Sequence, residues 1–171
     1  MTRTVSHVVI ATFASVCAGA GLAAGTATAE PAMYALPACY GAGAPPVERP
    51  DQVIIQTCAD GSKELTHLAW TSWGPAGAEG TGTYSYRVCE PNCAAGYQVS
   101  FQAVIHADEP QPATVDSKCP ANTSFYDNLV IAFPDRVPDD TVNMRYRGLP
   151  AVLYSTVGDP AGPTSLGKVT C

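Results

Sequence analysis

Tyr97-Gln98-Val99-Ser100-Phe101-Gln102-Ala103-Val104-Ile105-His106-Ala107 alternates between two kinds of side chain. Tyr97, Val99, Phe101, Ala103, Ile105 and Ala107 share one face. Gln98, Ser100, Gln102 and His106 share the other, with only Val104 out of pattern. Successive side chains of a strand point to opposite faces, so this period of two predicts a half-buried antiparallel strand. The preceding segment behaves alike: Tyr84, Tyr86 and Val88 fall on one face, Thr83, Ser85 and Arg87 on the other. Between the two runs lies Cys89-Glu90-Pro91-Asn92-Cys93, a turn-forming sequence, so they are expected to form a hairpin.

Further strands are predicted at 53–55, 65–70, 125–133, 142–147 and 151–157. The 125–133 run is more apolar and is expected to be more central. Gly and Pro recur throughout, and no helical period survives ten residues without them, so little or no helix is expected. Seven short strands separated by turn clusters predict an all-β domain, a β-sandwich with a closed barrel as the alternative.

The N-terminus has the layout of a secretory signal. Arg3 supplies the positive charge, Val8 to Ala24 is an uncharged apolar or small run of 17 residues, and Ala27-Thr28-Ala29 forms an A-x-A cleavage pattern. That run is short and rich in Gly, Ala and Thr, which disfavours a retained membrane anchor. Cys17 follows Val16 rather than a small residue, which disfavours lipid attachment. The expected division is a signal peptide over 1–29, an Ala/Gly/Pro-rich arm over 30–50 and a single β domain over 51–171. Cleavage leaves 142 residues, enough for one core. No later apolar run is long enough to span a bilayer.

Cys39, Cys58, Cys89, Cys93, Cys119 and Cys171 survive cleavage. An even number in an exported chain predicts a disulfide framework. Cys89 and Cys93 bracket a tight turn, Cys39 lies in the arm near Cys58, and a bridge from Cys119 to Cys171 would stop the C-terminus fraying. The expected pairs are therefore Cys39–Cys58, Cys89–Cys93 and Cys119–Cys171. Zinc is the rival for Cys89 and Cys93, but no second close Cys or His pair accompanies them. The formal charge of −6 becomes −7 once Arg3 leaves with the signal. An acidic surface repels phosphate backbones, so nucleic acid is not an expected partner.

Residues 58–96 carry a compound pattern: Cys58-Ala59-Asp60-Gly61, Trp70-Thr71-Ser72-Trp73-Gly74, then Cys89-Glu90-Pro91-Asn92-Cys93-Ala94-Ala95-Gly96. It resembles a group of small secreted proteins of unassigned function from actinobacteria such as mycobacteria and streptomycetes. The resemblance implies export and a β domain. It transfers no catalytic residue.

Two histidines survive cleavage, His67 and His106. A Ser-His-Asp triad needs a serine beside a base that a carboxylate holds. No G-x-S-x-G elbow is present, so both histidines are expected to be structural or solvated. Asp60 and the Asp139-Asp140 pair sit in turn sequences, and no D-x-D-x-D-G calcium loop occurs. Asn122-Thr123-Ser124 is a formal glycosylation sequon, expected on a surface loop. No metal or cofactor is expected.

Trp70 and Trp73 stand three apart, which in extended chain points them to opposite faces, one inward and one outward. An outward Trp with Tyr84 and Tyr86 forms a candidate platform for a sugar or peptide. The functional expectation is a secreted, non-catalytic β domain with a binding or structural role, its partner an envelope glycan or protein. The alternatives are a secreted hydrolase assembled from distant residues and a protease inhibitor presenting the Cys89–Cys93 loop. Intact-mass measurement on protein from culture fluid is expected to show a chain beginning at Glu30; full-length protein held in membranes would refute the signal assignment.

Overall fold

The computed structural model describes residues 30–37, 45–55, 63–139, 142–155 and 171. The expected signal peptide, Cys39, Cys58 and Asp140 lie outside them. The chain is all-β, as predicted. Its strands are β1 (Met33–Ala35), β2 (Val53–Ile54), β3 (Lys63–Ser72), β4 (Ala78–Val88), β5 (Tyr97–Pro112), β6 (Thr123–Ala132), β7 (Met144–Tyr146) and β8 (Leu149–Ser155). Among the described residues the only helical element is a 3-10 turn at Val115–Ser117.

A sandwich of two sheets was one expectation and a closed barrel the other. The strands instead bond into one sheet that is not closed, in the order β2-β3-β4-β5-β6-β8-β7, with β1 parallel to β6 at its side. Sequence neighbours pair almost throughout, and β4 and β5 run antiparallel from Ala78↔Ala107 to Val88↔Tyr97 without a break. The pairing of β5 with β6 starts at Val104↔Ala132. Two residues past Ala132 comes Pro134, which has no N–H to give to a neighbouring strand.

The open sheet curls over its own core. The hydroxyls of Tyr84 on β4 and Tyr154 on β8 are 3.1 Å apart, although β5 and β6 lie between those strands. In a flat sheet three strand spacings amount to roughly 14 Å. The Lys63 Nζ of β3 reaches within 5.8 Å of the Tyr154 ring centre, one strand further still. Leu65, Tyr84, Ile105, Leu129, Ile131, Val152 and Tyr154 are fully buried on this concave side. Each aliphatic side chain so buried contributes about 1.5–3 kcal/mol. Phe101, Ala103, Ile105 and Ala107 all face the core, as the alternation of β5 requires.

A second, smaller core lies on the outer face. Val130, Ala132 and Ala151 are buried there against Val104, Met144, Tyr146, Leu149 and Leu153. β8 pairs beside β6, and β7 turns back from it so that Tyr146 stacks on His106 of β5 and helps cover them. Its two turn residues, Arg147 (φ 49°) and Gly148 (φ 83°), both have positive φ, the conformation a tight two-residue hairpin turn demands. This is why β6 is apolar on both faces.

Part of the segment read as an arm belongs to the sheet. Met33–Ala35 pairs with Thr123–Phe125 of β6, and Leu36 is fully buried. Trp73 Nε1 donates to the Tyr34 carbonyl at 3.0 Å and Trp70 Nε1 to the Pro50 carbonyl at 2.8 Å. Three residues are too few to show a period of two, so β1 left no signal in the sequence.

Cys89–Cys93 closes the tip between β4 and β5. Cys119–Cys171 ties the last residue to the β5–β6 connection, where Cys171 N also donates to Ser117 O at 2.9 Å. The sequence separations are 52 for Cys119–Cys171 and 4 for Cys89–Cys93. Loop-closure entropy then assigns about 4 kcal/mol to the long loop and about 2 kcal/mol to the short one. Thermal melts are expected to show a larger loss for Cys171→Ser than for the Cys89→Ser/Cys93→Ser double variant; the reverse order would contradict this ranking.

Candidate functional site

The aromatic residues singled out in the sequence do not form one surface. Tyr84 is fully buried, its hydroxyl held by Tyr154. Burial, reinforced by the Tyr154 hydroxyl, pushes the Tyr84 phenol far above its usual range. Tyr86 is partly buried and stacks on Phe101, with ring centres 5.9 Å apart. Trp70 and Trp73 were expected on opposite faces, yet they meet edge to face with ring centres 4.6 Å apart. The reason is a register shift between Trp70↔Gly80 and Ser72↔Glu79, which reverses the alternation. Gly80 permits it: a Cβ there would lie 2.9 Å from the Trp70 ring.

His67 sits on exposed, irregular backbone (φ 52°), its Nδ1 3.2 Å from Thr66 Oγ1. The sequon is not free either. Asn122 Nδ2 donates to Pro31 O at 2.8 Å and Met33 N donates to Asn122 O.

His106 organises the principal polar cluster. Its Nδ1 lies 2.9 Å from Glu79 Oε1 and its Nε2 3.1 Å from Asp108 Oδ2. Register explains the set: Glu79 is the cross-strand partner of His106, and Asp108 is two residues along the same face of β5. Glu79 Oε1 also accepts from the Tyr146 hydroxyl at 2.9 Å and from Arg147 Nη2 at 2.8 Å. Asp108 Oδ1 accepts from Asn128 Nδ2 at 2.9 Å. The Tyr146 ring stacks on the imidazole with centres 5.1 Å apart. Burial, with the bond to Glu79, raises the Tyr146 phenol above its ordinary range. One carboxylate oxygen thus pins the folded-back hairpin to β4.

The chemistry of the cluster follows from its donors and acceptors. Both partners of the imidazole are carboxylate oxygens, so the ring satisfies both only as a double donor. Neither nitrogen faces a hydroxyl whose proton it could take, which is what a catalytic serine requires. Among the described residues, no group of three His, Cys, Asp or Glu side chains is arranged to hold a metal ion.

Beside the cluster is a depression of about 200 Å³ lined by Ser72, Trp73, the 74–78 turn, Glu79 and His106. The turn is rigidly set. The Tyr126 hydroxyl donates to Gly74 O at 2.9 Å and accepts from Gly74 N at 3.1 Å. Gly77 (φ +115°) packs so tightly that a Cβ would meet Ala107 O at 2.7 Å.

At the other end of the β4–β5 hairpin, Cys89 to Ala95 is exposed throughout. Besides the disulfide, Arg87 Nη1 donates to Cys93 O and Gly96 O, and Ala95 N donates to Asn92 Oδ1.

Glu79, Asp108, Tyr146 and Arg147 escaped the sequence reading. That His106 and Asp108 share a face was legible from their spacing. Glu79 needed the register, and Tyr146 and Arg147 needed the fold-back of the hairpin. Comparison with known proteins finds no matching family model, no matching curated protein and no matching solved structure.

Removing the charge in Glu79→Gln is expected to destabilise the fold by about 1–2 kcal/mol, because three donors lose an ionic acceptor. The same change should bring Tyr146 ionisation back toward the ordinary tyrosine range. Urea melts and an alkaline absorbance titration check the two effects; an unchanged titration would mean that Glu79 does not govern Tyr146.

Proposed function

We propose that this chain is an exported, non-catalytic β domain with a binding or structural role at the cell envelope or outside the cell, akin to the secreted actinobacterial group it resembles. The observation that carries the non-catalytic part is the double engagement of His106 by Glu79 and Asp108, which leaves the surviving cleft histidine without a nucleophile to activate. The two disulfides are compatible with an oxidising location. No helix among the described residues is long and apolar enough to cross a membrane. The depression next to Trp73 supports binding: its walls are set by glycine geometry and by hydrogen bonds from a buried tyrosine, so little ordering cost remains for a ligand.

A second reading, protease inhibition, is favoured by the Cys89–Ala95 tip. It is exposed, covalently closed and clamped by Arg87, the preorganisation that lowers the entropic cost of docking. A hydrolase with a site built from distant residues has less support, since both His106 nitrogens are already engaged by carboxylates.

The mature domain is expected to show no turnover of generic ester, glycoside or peptide substrates. Activity abolished by His106→Ala would overturn the non-catalytic reading. Incubation with secreted serine proteases separates the second reading: stoichiometric inhibition that Pro91→Gly weakens would place the function in the tip.

A further inference from the structure

Resting on the binding reading, we propose that the depression between the 74–78 turn and His106 is a subsite for one uncharged sugar ring of a glycan. Its volume of about 200 Å³ is small for an elongated organic ligand. It suits a single pyranose.

The lining selects the chemistry. Glu79 uses Oε1 for all three of its donors, and Oε2 has no partner among the described residues. Glu79 lines the depression, and its hairpin-clamped carboxylate has that oxygen to offer a hydroxyl donor. Ser72, exposed at the end of β3, supplies a hydroxyl that both donates and accepts. Trp73 supplies apolar ring surface for the C–H face of a sugar. Its N–H is already spent on the Tyr34 carbonyl, so only its apolar part is offered. The 74–78 backbone completes the wall.

The same groups argue against other ligands. An anion would meet Glu79 with Asp108 behind it, on a chain of net negative charge. A metal cation would find a single open carboxylate oxygen, since Glu79 Oε1 and both Asp108 oxygens already have partners in His106, Tyr146, Arg147 and Asn128. An apolar ligand would strand the Glu79 carboxylate without water, at the cost of an unpaired charge. A neutral polyhydroxy ring satisfies Glu79 Oε2 and Ser72 and covers the indole.

The test uses the folded mature protein and its only two tryptophans, Trp70 and Trp73, which touch each other beside the depression. Glucose, galactose and N-acetylglucosamine, with their oligosaccharides and insoluble peptidoglycan, are the probes. Intrinsic fluorescence and co-sedimentation are the readouts. At least one of these probes should give a saturable fluorescence change or co-sediment with the protein. Ala76→Phe, which fills the depression from an exposed position, should abolish it. Ser72→Ala should weaken it about 5-fold, the loss of one hydrogen bond.

A response to monosaccharides and oligosaccharides alike assigns a terminal-ring subsite. A response to chains or peptidoglycan alone, still blocked by Ala76→Phe, assigns an internal ring of a polymer. Both support the proposal. Absence of any sugar response in protein whose near-ultraviolet circular dichroism is native overturns it, as does a response that Ala76→Phe leaves unchanged. Release of new reducing ends would instead overturn the non-catalytic reading on which it rests.

Discussion

The uninterrupted antiparallel pairing of Ala78–Val88 with Tyr97–Ala107 is the constraint on which the other elements depend. It presents one apolar face, built from Tyr84, Phe101, Ala103, Ile105 and Ala107, that must be taken from water. Two flanking strands alone cannot cover so long a face, so the sheet rolls until β8 meets β4 and β3 across the core. Burial supplies the drive, and the Tyr84–Tyr154 hydroxyl pair satisfies the polar atoms that burial brings along.

The same pairing sets the polar face. Register fixes Glu79 opposite His106, and the pleat places Asp108 beside them. The outer face of β6 is apolar as well, and the chain covers it with β7, folded back from β8, and the outward side chains of β8. That fold-back delivers Tyr146 and Arg147 to Glu79. The polar cluster is therefore a consequence of covering a second small core, and the depression beside it borrows its fixed carboxylate.

The tryptophans show how one irregularity redirects a site. Spacing alone placed Trp70 and Trp73 on opposite faces. A single register shift turns them together, and their N–H groups anchor the N-terminal segment at Tyr34 and Pro50. The pair is thus largely a clasp for β1 and its approach. Only the part of Trp73 at the depression remains for a ligand.

Strand content, the inward face of β5, the interior position of β6 and the closure of the 89–93 tip were legible in the residues themselves. These depend on side-chain alternation and on turn chemistry within a few residues, both written locally. The tertiary structure alone decided that one open sheet curls on itself, that β1 joins it, and that Glu79, His106, Asp108, Tyr146 and Arg147 converge. Those outcomes rest on pairings between residues far apart in the chain, 68 positions for Glu79 and Arg147 and 70 for Tyr84 and Tyr154. A local pattern holds no record of cross-strand register or of which way a hairpin folds; only the burial of two apolar faces settles both.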